Sequence, residues 1–234
     1  MSTEPGTTQR VWDLPVRLMH WGLALSVIGA WLTRELEGDW FAWHVRFGYA
    51  VLLIVTTRIV WGFVGTRYAL FRDFVRGPRA ILAYLRAGRG GPAAPVTGHN
   101  PLGALMILAL LGLLLTQSVL GLFANDQVLE AGPLYGYVEG ATSDRLTTLH
   151  KQLFDLIVVA LAIHVGAALF YLWVRRENLI LPMITGRKTG SSLPAGAEGI
   201  SRSRTLLAMA ILAVTGALLW WVVATAPDAS LFAF

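Results

Sequence analysis

Histidines are the residues in this chain best suited to chemistry, and their spacing is regular. The stretch "HKQLFDLIVVALAIH" begins at His150 and ends at His164. A helix turns about 100° per residue, so fourteen steps return to nearly the same face, within about 40°. At about 1.5 Å per residue the two rings lie roughly 21 Å apart along the axis, too far to share one metal ion. That rise is most of the way across a hydrocarbon core of about 30 Å. Two further histidines, His20 and His44, lie in other apolar runs. The chemistry implied is that of two separate imidazole sites stacked across a bilayer.

The elements that must position them are legible from composition. Of 234 residues, 55% are hydrophobic and 14% charged, with a mean hydropathy of +0.59. Soluble domains average roughly 25% charged residues, so the chain is expected to be an integral membrane protein. Five runs are long enough to span, at about 14–33, 41–65, 101–124, 149–175 and 205–226. No alternating pattern of strands runs through them, so the expected fold class is an all-α membrane protein: a four-helix transmembrane bundle plus a fifth, C-terminal transmembrane helix. The first run carries Arg17 and His20 and leads into "RELEGD", which does not resemble a cleaved signal peptide.

Charge sets the expected orientation. Connection 66–100 holds Arg67, Arg72, Arg76, Arg79, Arg86 and Arg89 against Asp73, and connection 176–204 holds Arg176, Arg187, Lys188, Arg202 and Arg204 against Glu177 and Glu198. The intervening connections are acidic, with Glu35, Glu37 and Asp39 in one and Asp126, Glu130, Glu139 and Asp144 against Arg145 in the other. Basic connections stay inside, which predicts a multi-pass membrane protein with a cytoplasmic N-terminus and a C-terminus on the outer side. The same bias accounts for the net charge of +5, so nucleic acid is not an expected partner. Cysteine is absent, which excludes disulfides, cysteine-held iron–sulfur clusters and covalent attachment of c-type haem.

Local signals place the boundaries. Residues 1–12 read as polar and loosely ordered. Asp13 is the expected N-cap of the first helix, with Pro15 in its first turn. "RAILAYLRAG" reads as an amphipathic surface helix, and Asn100 and Pro101 open the third span. "EAGPLYGYVEG" in connection 125–148 reads as a folded loop. Residues 1–188 form the expected four-helix domain, 189–204 a flexible cytoplasmic linker, and 205–226 an appended helix that could anchor or dock on a partner or a second copy.

With the first helix running outward, His20 lies at the inner depth with His164, and His44 lies at the outer depth with His150. Opposed imidazoles from facing helices are what the iron of a b-type haem needs axially. Zinc competes, yet it prefers four ligands with cysteine or carboxylate help. A proton relay could also use stacked histidines without needing the pairing. The constellation therefore predicts His20, His44, His150 and His164 as metal ligands of two haems b. Arg17 and Arg58 inside, and Arg46, Arg145 and Lys151 outside, could pair with haem propionates. Glycines such as Gly121 and Gly166 allow a flat macrocycle or another helix to come close. His99, at the start of the third span, reads as a surface or cap residue, with a quinone pocket as its minor alternative. Asp155 reads equally as a proton-release group or a structural hydrogen-bond partner.

The motifs "VWDLPVRLMHW", "WHVRFGY", "RIVWGFVGTRYALFRDF", "GHNPLGA" and "LHKQLFDLIVVALAIH" together span about residues 10–188. In that order they resemble the bacterial di-haem cytochrome b family, which includes b-561-type cytochromes and the b-type subunits of nickel–iron hydrogenases. The resemblance implies that the four matching histidines carry two haems b. It further implies electron exchange between membrane quinone and a periplasmic cytochrome or other redox subunit, with no catalytic residue of the chain's own and with membrane lipid around it. A self-contained superoxide:quinone oxidoreductase is the alternative, and a non-redox proton-transport bundle a more distant one. The fifth helix departs from the basic family pattern.

Overall fold

A computed structural model of the chain describes residues 8–34, 36, 40–87, 96–127, 130–189, 193–194 and 196–227. Glu35, Glu37, Asp39 and Arg89 of the charge argument lie outside them. Among the described residues, five helices are long and apolar enough to cross a membrane: α1 (Leu14–Thr33), α2 (Trp40–Val64), α5 (Pro101–Leu122), α6 (Gly140–Trp173) and α8 (Thr205–Ala224). Three shorter helices, α3 (Phe71–Phe74), α4 (Pro78–Ala87) and α7 (Ile180–Thr185), and two short strands, β1 (Thr8–Arg10) and β2 (Arg187–Thr189), lie between or beside them. The chain is thus an all-helical multi-pass membrane fold, as the apolar runs predict. The start of α6 differs most from expectation. It extends through "GATSDRLTT", a polar segment that hydropathy does not register but whose threonines bond back along the helix, Thr147 Oγ1 to Ser143 O at 2.9 Å and Thr148 Oγ1 to Asp144 O at 2.9 Å.

Residue contacts divide the chain into two compact units. The first comprises Met1–Leu18, Ile59–Ala109 and Ala160–Ala208, and the second Met19–Arg58, Leu110–Val159 and Met209–Phe234.

In the first unit β1 and β2 form an antiparallel ladder that pairs Thr8 with Thr189, Gln9 with Lys188 and Arg10 with Arg187. Residues 8–10 are therefore fixed rather than loose, because each short segment supplies the backbone partners the other lacks. Beyond the ladder, Val11 and Trp12 both donate their N–H to Gly186 O, at 2.9 and 3.1 Å. Gly186 caps α7 in the left-handed region, φ 82°, and a Cβ there would lie 2.7 Å from Trp12 O, so only glycine fits. Asp13 caps α1 as expected, its Oδ1 accepting from Val16 N at 2.6 Å. Its other oxygen accepts from Trp61 Nε1 at 3.1 Å and from the Thr66 hydroxyl. Asp13 is 1% exposed and Trp61 0%, so this carboxylate fastens the entry of α1 to the end of α2.

Asn100 caps α5 through Gly103 N at 2.7 Å, and its Nδ2 donates to Tyr171 Oη at 3.0 Å. Tyr171 also shares a 2.7 Å hydrogen bond with Tyr84, which pins the amphipathic helix α4. The basic connection ending in residue 204 is also tied down where it is described. Ile200 N donates to Arg10 O at 2.8 Å, Gly199 N to Gln9 Oε1 at 3.1 Å, and Arg67 pairs with Glu198 at 3.0 Å. Its Gly/Ser composition reads as a flexible linker, but these contacts fasten residues 198–200 along β1 and the end of α2. Lys188 is buried, its Nζ donating to Val96 O at 3.0 Å and to Glu177 Oε1 at 3.5 Å. Burial pulls its ammonium below the usual lysine value, partly offset by Glu177.

In the second unit the connection after α5 is a folded loop. Asn125 bridges to Ala131, and Gly132 N and Leu134 N return to Ala124 O and Leu122 O at 2.7 and 2.8 Å. Ser143 and Asp144 at the start of α6 bond Asn125 Nδ2 at 2.5 and 3.0 Å. The fifth span is joined to α2 by a hydrogen bond of 2.9 Å between the Thr57 and Thr215 hydroxyls.

Candidate functional site

His44 lies in the first turns of α2 and His150 in the first half of α6, and the second unit brings them together. Their ring centres are 6.2 Å apart and the planes are inclined at 81°. Each ring is held through Nδ1: that of His44 lies 2.8 Å from Ala30 O, and that of His150 2.9 Å from Gln117 O. A carbonyl only accepts, so Nδ1 carries the proton in both rings and the lone pair remains on Nε2. Metal-binding histidines are oriented and tuned in this way, the second ring nitrogen donating to a backbone carbonyl. An ion bound by two opposed imidazole nitrogens at about 2 Å each, with each ring centre roughly 1 Å further out, sets the centres about 6 Å apart. The observed separation fits that span. Phe41 stacks on His44, ring centres 5.8 Å apart.

The floor beneath His150 is formed by Gly121 of α5. A Cβ there would sit 3.1 Å from His150 Cε1 and 3.4 Å from its Nδ1, so a larger residue would push the ring from its carbonyl. One turn earlier, the buried side-chain Oε1 of Gln117 has no hydrogen-bond partner among the described residues. Neither Ala30, Gln117 nor Gly121 is a residue whose type announces a role. The carbonyls serve through the backbone, and the one available signal for Gly121 was a small residue within an apolar run.

His20 sits on α1, half-buried, with its ring edge-on to Trp21 at 5.0 Å. His164 sits half-buried on α6. The first belongs to the second unit and the second to the first unit. Among the described residues no three His, Cys, Asp or Glu side chains converge on a common point.

The cations fall into two groups. Arg58 is 8% exposed within α2. Arg17 donates through Nη2 to Ile184 O in α7, and its buried Nε has no hydrogen-bond partner among the described residues. Arg46, Arg145 and Lys151 are exposed, and the Arg46 guanidinium lies 4.8 Å over the Trp43 ring. Sequence reasoning passed over Arg34, whose guanidinium lies 4.7 Å over the Phe154 ring. His99 packs between Trp12 and Phe74, 4.5 and 4.9 Å from their ring centres, while Asn100 does the capping. Asp155 is exposed on α6.

This fold of apolar spans, with a carbonyl-braced histidine pair inside it, is that of a membrane cytochrome. The chain belongs to the prokaryotic cytochrome b561 family, whose sequence model matches residues 11–186. It is similar to proteins named as probable Ni/Fe-hydrogenase B-type cytochrome subunits. That of Rhodobacter capsulatus is 28% identical, the alignment covering 78% of this chain and 82% of the relative. Those of Bradyrhizobium diazoefficiens and Azotobacter vinelandii are 24% and 25% identical, each over 77% of this chain and over 86% and 88% of the relative. No solved structure matches the chain. Membership makes the protein a b-type cytochrome of the membrane, with haem b as its cofactor and transmembrane electron transfer as its activity.

Proposed function

We propose that the chain holds two haems b, one between His44 and His150 and the other between His20 and His164, and relays electrons between membrane quinone and a redox partner at the periplasmic face. The observation that carries this reading is the His44–His150 pair, with both Nδ1 protons committed to carbonyls and both Nε2 lone pairs left for a ligand. Bound haem supplies the one-electron iron couple, and the protein supplies ligands, orientation and a low-dielectric setting. Ala30 and Gln117 hold the outer imidazoles by their carbonyls, which orients the rings and fixes the proton on Nδ1. Arg58, buried within a span, supplies positive charge for a carboxylate at its depth. Residues 1–188 hold both sites, 189–204 link, and 205–226 form the appended helix. The basic connections 66–100 and 176–204 face the cytoplasm, which places His44 and His150 nearer the periplasm.

The partner is a redox subunit or soluble cytochrome, in keeping with relatives named as hydrogenase cytochrome subunits. The appended helix suits assembly with it or with a second copy. Leu206, Met209, Val214 and Trp220 are exposed along α8, Trp220 at 71%. The test is haem stoichiometry by pyridine haemochrome together with redox titration of single variants. Two haems per chain are expected, with His44→Ala and His150→Ala deleting one component and His20→Ala and His164→Ala the other. A stoichiometry of one, or His20 and His150 variants deleting a common component, would overturn the assignment.

A further inference from the structure

The β1–β2 ladder places Arg10 directly opposite Arg187. Like charges facing each other across an antiparallel pair destabilise it, so the arrangement calls for an anion. The two arginines border two adjoining clefts of the first unit, of 570 and 430 Å³, and Arg17 lines the larger one. Among the described residues no carboxylate lines either cleft. Among the described residues, Asp13 is engaged with Val16, Trp61 and Thr66, Glu177 with Lys188, and Glu198 with Arg67. Three arginines thus line a cleft large enough for a small charged group, and the planar guanidinium fork matches phosphate oxygens two at a time.

The position of the cleft points to where that phosphate comes from. Its wall includes Leu14, in the first turn of the membrane span α1, and Ser203, two residues before the span α8. Leu14 N and Ser203 Oγ are 3.4 Å apart. The cleft therefore lies where two spans begin, at the depth of lipid headgroups. Beside it, Leu18 and Leu206 are 62% and 83% exposed and offer apolar surface for acyl chains. We infer that Arg10 and Arg187 form a binding site for the phosphate of an anionic membrane phospholipid, closing the ladder at the mouth of α1.

Native mass spectrometry of the full-length, haem-loaded protein in mild detergent tests this, with phosphatidylglycerol and phosphatidylethanolamine supplied in equal amounts. The wild type should retain phosphatidylglycerol preferentially. Arg10→Gln with Arg187→Gln should retain about tenfold less of it, the loss expected when charge-assisted hydrogen bonds to phosphate are removed, with an unchanged haem spectrum. Equal retention of the two lipids by the wild type, or undiminished phosphatidylglycerol in the double variant, would overturn the site. Displacement of the lipid by millimolar inorganic phosphate would also overturn it, reassigning the cleft to a soluble anion. If the double variant loses its haem spectrum, Arg10→Lys with Arg187→Lys decides: it keeps charge but not the fork, and retention at the wild-type level would rule out recognition by the guanidiniums.

Discussion

The His44–His150 layer and the Asp13 junction are both built around a polar group held inside the protein, yet by opposite means. The two histidines are braced by main-chain carbonyls of α1 and α5, groups present whatever the residue type. Asp13 is braced by side chains, Trp61 and Thr66, together with the amide of Val16. The first arrangement needs only backbone carbonyls and, beneath one ring, the small residue Gly121. The second needs a particular indole and a particular hydroxyl to arrive from distant parts of the chain. Damage to the first should therefore be local to one cofactor, and damage to the second should be felt as stability.

The largest effect expected is complete loss of one haem component in His44→Ala or His150→Ala, read as one missing wave in a redox titration with the other unmoved. Loss of both waves would show that the layers are not independent. Next, Asp13→Ala should cost about 3 kcal/mol or more, because it strips buried donors of a charged acceptor. The expected readout is a lower midpoint for thermal bleaching, with both haem components present at low temperature. Selective loss of one component would mean that Asp13 serves a site rather than the fold. Gly121→Val should cost about 1–3 kcal/mol through overpacking and shift the potential of the outer component alone, since the added carbons press on His150. An unmoved potential would show that the ring can yield. The smallest effect belongs to Thr215→Val, about 1 kcal/mol or less for one neutral hydrogen bond. Deletion of 190–234 should keep both haems and reduce the detergent-solubilised size by more than the deleted mass, through loss of an associated partner or copy. Haem loss on that deletion would place α8 in the cofactor-binding core.

Much of this was legible in the chain itself. The five spans lie close to where apolar run length puts them, and the Asp13 and Asn100 caps are where the N-cap signature puts them, because each depends only on residues near in sequence. His44 and His150 stand out in the sequence as histidines inside apolar runs, and their ring centres lie 6.2 Å apart. What stayed hidden depends on partners remote in sequence or on groups without residue identity. Nothing in "TQR" announces a strand, since its partner "RKT" lies far along the chain and neither has an apolar alternation of its own. Nothing in Gln117 announces that its carbonyl, not its amide, holds a ring. The second duty of Asp13, accepting from Trp61, was likewise invisible beside its capping role.

The pairing of residues 8–10 with 187–189 also fixes an order of events in synthesis. The first strand is made before any span and its partner only after four of them, a wait of about ten to forty seconds at ordinary ribosomal speeds. Through that interval α1 can cross the bilayer and Asp13 can reach Trp61 and Thr66, but residues 8–12 cannot be fastened, because Gly186, which receives Val11 and Trp12, has yet to emerge. The ladder is thus a late latch of high sequence separation, expected to close after the helices have formed. A nascent chain halted before residue 186 should show residues 8–12 open to protease, and one released beyond 200 should show them closed.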